Sequence, residues 1–161
     1  MTVRTHVMWM CVAAGLVLGL AAAQARTEIS QAAAASGRTV WDGVYTDAQA
    51  KRGAAIYVSH CQRCHADTLL GDGEATALTG PGFLGNWDGV ALSELADRTR
   101  NTMPNDDPGT LSRQQTADVL AYLLNFNKFP AGDVELPTQA EVLAGIKFVA
   151  TKQVGARPRF P

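Results

Sequence analysis

The sequence "YVSHCQRCHADTLLG", residues 57–71, contains the motif on which the fold and the chemistry of this chain depend. Within it, Cys61, Cys64 and His65 have the C-x-x-C-H spacing that is typical of covalent haem attachment. Two thiols at this separation can add to the two vinyl groups of a haem, and the histidine that follows is held beneath the iron. We therefore predict a covalently bound haem c with His65 as one axial ligand.

The first 25 residues have the pattern of a secretory signal peptide. Arg4 precedes an unbroken apolar run over residues 7–23, and the small residues Ala23 and Ala25 fit a signal-peptidase site. Retention of this segment as an uncleaved membrane anchor is the alternative, because the run is long for a leader and short for a full span. We expect a periplasmic protein with no membrane insertion after cleavage.

Removal of this leader sets the residue counts that matter for charge and ligands. The chain has 161 residues, 47% hydrophobic and 18% charged, which is ordinary for one globular domain with extensions. Arg4 is the only one of the 14 basic residues in the leader, so 13 remain against 15 acidic ones and the net charge is near −2. This charge favours neither nucleic acid nor an anionic membrane as a partner.

Three other kinds of site could use a cysteine pair at this spacing. A redox dithiol usually opens a helix that follows a strand, whereas here a helix is predicted before the pair and no strand is apparent. A structural zinc site needs four ligands, and the cysteines and histidines outside the leader are all crowded into residues 60–65. A disulfide between Cys61 and Cys64 stays open in an exported protein, but it would leave His65 without a role.

The second axial position of the iron needs its own ligand. Met103, the only methionine outside the leader, lies 38 residues after His65 in "NTMPNDD", and Pro104 stiffens the loop that would present its sulfur. An isolated methionine is more commonly core filler. The polar surroundings and the lack of another candidate favour Met103 as the sixth ligand, since His60 is tied to the same side as His65. A thioether ligand raises the reduction potential of the haem.

Capping residues and apolar periodicity predict a helical domain. A Thr or Ser followed three residues later by Gln, the pattern of a capping box, begins two helices, at Thr46 and Ser112. Apolar spacing predicts a further helix in residues 91–102 and a short one within 138–148. The dense glycines of residues 66–86 predict loops with little regular structure.

Composition divides the chain into four segments. After the signal peptide, residues 26–45 are small and polar with no sustained periodicity, so we expect a flexible N-terminal lead-in. The predicted domain covers residues 46–127. A C-terminal extension follows over residues 128–161, and its basic end is either a solvated tail or a docking segment for a partner.

The stretches "RGAAIYVSHCQRCH", "TMP" and "DVLAYLL", in this order, resemble the monohaem class I cytochromes c. The resemblance covers residues 46–127 and implies an all-α cytochrome c fold, with N- and C-terminal core helices crossing around the haem and loops rich in glycine. In that family a glycine and an aromatic residue of the first helix cross the last helix. Gly53 and Tyr57 match them, with Val119 and Tyr122 opposite, and Tyr57 is expected at the haem pocket.

The resemblance also implies how the axial histidine is held. The family's P-x-L-x-G sequence appears here as "TALTG", so Leu78 and Gly80 align and Leu78 is expected in the haem pocket. Thr76 stands where the family has a proline whose carbonyl accepts a hydrogen bond from the axial histidine. Thr76 keeps a carbonyl for His65 but lacks the rigidity of proline.

Two further residues are candidates for the haem pocket. Trp87 would pack beside the haem and reach a propionate through its indole N–H, or would be buried as ordinary core. Arg98 would pair with a propionate, or would face solvent. Both assignments come with the family resemblance.

Ligands at both axial positions leave no open site for a substrate. The resemblance therefore implies an electron-transfer protein and not an enzyme: a periplasmic carrier with one haem c, between a dehydrogenase and a cytochrome or terminal oxidase. One alternative is a haem subunit permanently bound in a periplasmic oxidoreductase complex. Another is a haem sensor or peroxidase-like protein with an open sixth position.

Overall fold

The structure is a computed structural model that describes residues 37–73 and 75–152. All of these residues belong to one structural unit, Ala35–Pro161. The predicted signal peptide, residues 26–36 of the predicted lead-in and residues 153–161 of the C-terminal extension, with Arg157 and Arg159 of its basic end, lie outside the described residues.

Six helices and two very short strands make up the described part of the chain. In order they are β1 Arg38–Thr39, α1 Asp47–His60, α2 Gln62–His65, α3 Gly80–Trp87, α4 Leu92–Thr102, α5 Arg113–Phe126, α6 Ala140–Leu143 and β2 Ile146–Lys147. The two strands pair in parallel, with Arg38 opposite Ile146. The predicted all-α class is confirmed by this architecture.

Helices α1 and α5 begin where their capping residues predict. The box at Ser112 is complete, because its side chain accepts from the N–H of Gln115 and the Gln115 side chain accepts from the N–H of Ser112. At Thr46 only half of the capping box forms, in which the Thr46 hydroxyl accepts from the N–H of Gln49. The buried side chain of Gln49 instead bonds both the N–H and the C=O of Leu136, at 2.6 and 3.1 Å, and so ties α1 to the C-terminal extension.

Helix α1 crosses α5 at Gly53, where the two backbones touch. A Cβ at Gly53 would overlap the carbonyl of Asp118 and lie 2.9 Å from Cβ of Tyr122, so only glycine fits. One turn further on, the rings of Tyr57 and Tyr122 pack with their centroids 5.1 Å apart. The predicted crossing of the first and last core helices is therefore present, with Val119 buried in the same cluster.

A buried carboxylate reinforces this crossing. Asp118 accepts two hydrogen bonds from Arg52, at 3.0 and 3.1 Å, and one from Gln114 at 2.9 Å. Arg52 also forms an ion pair with Glu135 of the extension at 2.9 Å. Hydrogen bonding to Asp118 is the main reason that the pKa of Arg52 is raised. The fork of hydrogen bonds satisfies a charge that would be costly to bury alone.

Helix α3 lies in a segment that the sequence predicts as loop. Its glycines and Pro81 lower the helix propensity. Pro81 is nevertheless tolerated because it lies in the first turn, where a backbone N–H would have no partner within the helix. Phe83 is buried at the centre of the helix and packs edge-on against Phe148, with 5.9 Å between ring centroids. Tertiary packing therefore outweighs the local propensity of this short helix.

The described parts of the lead-in and the extension pack on each other, where a flexible lead-in and a tail were expected. The hydroxyl of Tyr45 donates to the carbonyl of Phe129 at 2.6 Å, and both side chains are buried. Trp41 packs on the Phe129 ring at 4.8 Å and donates its indole N–H to the carbonyl of Val149. Each segment gives only a few apolar residues to a shared core, which leaves no periodic pattern in either.

We expect Gly53→Ala to lower the free energy of unfolding by about 3 kcal/mol, the upper end of the cost of overpacking, because the new methyl meets backbone. Gly85→Ala in α3 is the matched control, since a Cβ there meets nothing within 4 Å. It should stay within about 1 kcal/mol of the parent, because alanine favours helix over glycine. Denaturant unfolding of both variants tests this. Equal losses of unfolding free energy in the two variants would show that the close helix contact at Gly53 does not contribute to stability.

Candidate haem-binding site

A cavity of about 670 Å³ lies beside the C-x-x-C-H segment. This volume falls within the range of about 300–1,000 Å³ that is usual for cofactor and ligand sites. Among the predicted site residues, the cavity is lined by Cys61, Cys64, His65, Leu78, Trp87, Arg98 and Met103. The fold therefore brings together side chains that are up to 42 positions apart in the sequence.

His65 is held by the backbone that follows it. Helix α1 runs directly into α2, so that Cys61 ends the first helix and begins the second. The Nδ1 atom of His65 lies 2.8 Å from the carbonyl oxygen of Thr76, as the family resemblance implies. When Nδ1 carries the proton and donates to this carbonyl, Nε2 keeps its lone pair for a metal ion.

Tyr57 does not line the cavity, although the resemblance implied a place in the haem pocket. Its ring lies between α1 and α5, and its hydroxyl donates to the carbonyl of Ala66 at 2.6 Å. Ala66 has a φ of 59°, in the left-handed region that non-glycine residues rarely adopt. Burial raises the pKa of Tyr57 further above neutral pH, where the phenol is protonated and donates in any case. Tyr57 therefore stabilises the turn immediately after His65.

The two cysteines present free thiols to the cavity. Cys61 is buried and Cys64 is exposed, and neither forms a disulfide. Burial, with a smaller contribution from Cys64, raises the pKa of Cys61 to about 11. In residues 37–73 and 75–152, no group of three or more His, Cys, Asp or Glu side chains is arranged to hold a metal ion.

The chemistry of the lining fits a haem. Two thiols and an imidazole with an available Nε2 meet a thioether sulfur in the same cavity. Leu78, Phe83, Leu95, Val119 and Leu123 add an apolar part of the wall, which suits a flat macrocycle. Polar residues, among them Asn86, Thr99 and Asn105, complete the lining. Arg98 and Trp87 add polar N–H groups that suit the carboxylates of such a group.

Met103 lies directly after α4, on a loop connected to the cysteine motif. Its N–H donates to the carbonyl of Thr99 at 3.2 Å. Three residues further on, Asp106 pairs with Arg63, which stands between the two cysteines, with 2.5 Å between Oδ2 and Nη2. Both side chains are exposed, so the pair contributes little to stability and is screened by salt. Sequence analysis missed it, because a pair 43 residues apart leaves no local signal.

The Arg63 hydrogen bond is the main reason that the pKa of Asp106 is lowered. A lowered pKa means that the folded state favours the ionised carboxylate. The contribution of this pair is therefore complete above the ordinary aspartate pKa of 3.8 and is lost as the pH falls through the lower folded-state value.

Asn127 is a supporting residue that the sequence did not reveal. Its side-chain amide donates to the carbonyl of Leu78 at 3.0 Å and to that of Leu123 at 2.9 Å. Its side-chain oxygen accepts from the hydroxyl of Thr79 at 3.0 Å. Asn127 thus attaches the loop that carries Leu78 to the end of α5.

Comparison with known families agrees with this geometry. Residues 48–123 match the family model described as "Cytochrome C oxidase, cbb3-type, subunit III". The match confirms the resemblance to the monohaem c-type cytochromes: this region is a c-type cytochrome domain, with the all-α cytochrome c fold that such domains share. No curated protein and no solved structure gave a significant match.

A c-type cytochrome domain implies covalently bound haem c and haem-based electron transfer. The family is one of electron-transfer proteins rather than enzymes, and such domains typically work outside the cytoplasm. Within the described residues, none of the helices has the length and apolar character needed to cross a membrane.

We expect Tyr57→Phe to reduce the free energy of unfolding by about 1 kcal/mol, because the carbonyl of Ala66 loses its hydrogen bond. Tyr122→Phe is the control, since no hydrogen bond from its hydroxyl occurs within the described residues; it should change stability by less than about 0.5 kcal/mol. Denaturant unfolding of both variants provides the comparison. Identical losses would show that the Tyr57 hydroxyl has no special role after His65.

Proposed function

We propose that this chain is a periplasmic one-electron carrier with a single covalent haem c and His/Met axial ligation. The observation that carries the proposal is the composition of one cavity, where Cys61, Cys64, His65 and Met103 all contribute to the lining. The sequence holds a single C-x-x-C-H motif, which corresponds to one haem.

Each of these residues has a distinct role in the proposal. Cys61 and Cys64 form thioether bonds to the haem, while Nε2 of His65 and the sulfur of Met103 bind its iron. The bound haem supplies reversible exchange of one electron between ferric and ferrous iron. Thr76 keeps His65 oriented through its carbonyl, 2.8 Å from Nδ1. Ligands on both sides leave no position for a substrate, which argues for transfer and against catalysis.

The remaining lining would adjust the reduction potential. The apolar side chains exclude water and so disfavour the more highly charged ferric state, which raises the potential in the same direction as a methionine ligand. Arg98 is exposed at the cavity and Trp87 is half-buried, so both can reach solvent-facing carboxylates of the haem. We propose them as the partners of the propionates.

The sequence supports the place of action that we propose, and the resemblance to the class I cytochromes c suggests the partners. The predicted leader in residues 1–25 supports export to the periplasm, with release from the membrane after cleavage. The partners we propose are redox proteins, with a dehydrogenase as donor and a cytochrome or terminal oxidase as acceptor. Carriers of this kind form small, short-lived interfaces. Because the net charge is near neutral, we propose that nucleic acid is not a partner.

A second candidate is a haem subunit that stays bound in an oxidoreductase complex. The matched family model favours it, because its description names a subunit of an oxidase. Trp41 of the lead-in and Phe129 of the extension are packed on each other, so these two side chains are not available to bind a partner. Recovery of the native protein alone at the monomer position supports the carrier, and recovery with a catalytic partner supports the subunit.

We expect Met103→Ala to remove the weak far-red band that a methionine sulfur gives to ferric haem c, and to lower the reduction potential. His60→Ala is the matched control, because His60 also lines the cavity and should leave both properties unchanged. Visible spectra and redox titrations of the purified holoproteins are the measurements.

Persistence of the far-red band in Met103→Ala would overturn the ligand assignment. A parent protein that already has high-spin iron would instead favour a sensor or peroxidase-like protein with an open sixth position.

A further inference from the structure

Residues 146–150 of the C-terminal extension lie against the turn that joins α3 to α4. The N–H of Gly89 donates to the carbonyl of Phe148 at 2.8 Å, and the N–H of Phe148 donates to the carbonyl of Val90 at 2.9 Å. The N–H of Ala150 donates to Oδ1 of Asp88 at 2.8 Å. Residues 146–150, named the brace here, therefore fasten this turn along its length.

The braced turn connects two walls of the cavity. Helix α3 contributes Phe83 and Trp87 to the lining, and helix α4 contributes Leu95 and Arg98. The brace itself contributes no residue to the lining. Any movement of the turn would nevertheless shift both walls, because each helix is anchored at the turn.

Phe148 provides a direct route from the brace to the cavity. Its side chain is 1% exposed, and its ring meets Phe83 edge-on with 5.9 Å between centroids. Behind it lies Phe129 at 5.2 Å, and Trp41 packs on Phe129 at 4.8 Å. Four aromatic rings thus form a row that ends at the cavity wall. In such a close-packed row, a change in volume at one ring is transmitted to the next.

We propose that the brace positions the haem-pocket wall, with Phe148 acting through Phe83, and thereby helps to set the reduction potential of the haem. The inference rests on the proposed function, because the potential is that of a haem bound in this cavity. Phe148 touches neither the cavity nor the expected ligands, so it is a positioning residue.

Loss of the Phe148 ring should lower the potential. Removal of a buried ring leaves a space into which Phe83 can relax, and the surrounding structure closes such spaces only in part. Movement of Phe83 would admit water to an apolar wall of the cavity. A more polar environment favours the ferric state, which carries the additional positive charge.

The test compares two truncations in the full-length holoprotein, Phe148→Ala and Leu136→Ala. Leu136 is the matched control because it is equally buried in the same extension, at 2% exposure, but it bonds to Gln49 of α1 and lies outside the cavity lining. Both variants should melt at lower temperature. Only Phe148→Ala should lower the midpoint potential in a redox titration. It should also speed hydrogen exchange of the Gly89 amide by about tenfold, since that hydrogen bond belongs to the brace.

A potential that is unchanged in Phe148→Ala, or that falls equally in Leu136→Ala, would overturn the inference while the haem assignment stands. If Phe148→Ala does not accumulate as holoprotein, Phe148→Leu takes its place in the test. We expect a smaller fall in the midpoint potential for Phe148→Leu, and an unchanged potential would overturn the role of the brace. A parent protein without low-spin haem would instead overturn the proposed function, and that result is visible before any variant is made.

Discussion

The close contact between α1 and α5 at Gly53 is the constraint on which the position of the cysteine motif beside the cavity depends. Helix α1 leads directly to Cys61 and His65, while α5 supplies Val119 and Leu123, which line the cavity and pack in the same core cluster as Cys61. The absence of a side chain at Gly53 sets how near the two helices come. An extra atom there would separate Cys61 from the α5 side chains that pack against it.

The orientation of His65, the proposed axial ligand, depends on backbone groups rather than on a particular side chain. Its Nδ1 faces the carbonyl of Thr76, and the turn after it is fixed by the hydrogen bond from Tyr57 to Ala66. A carbonyl is present whatever the residue, which explains how threonine can replace the family's proline at this position. Asn127 donates to the carbonyl of Leu78, two residues after Thr76, and so restrains the same loop.

Much of the core could be predicted from local sequence. Capping residues located the starts of α1 and α5, and the C-x-x-C-H spacing predicts the haem attachment site, because each of these signals lies within a few residues. Helix α3 was missed, since its glycines conceal a helix that is stabilised by the burial of Phe83. The packing of the extension was missed for a related reason: the hydrogen bond from Trp41 to Val149 spans 108 positions and leaves no periodic pattern.

Covalent attachment of one haem at Cys61 and Cys64 underlies the proposed function and the role of the brace. Intact-mass measurement of the purified protein after denaturation tests it most directly, since a thioether-linked haem survives unfolding whereas a coordinated one is released. We expect the mass of the chain plus one haem, with the added mass on the peptide that contains residues 57–71. The mass of the bare chain, with both thiols open to alkylation, would contradict the assignment.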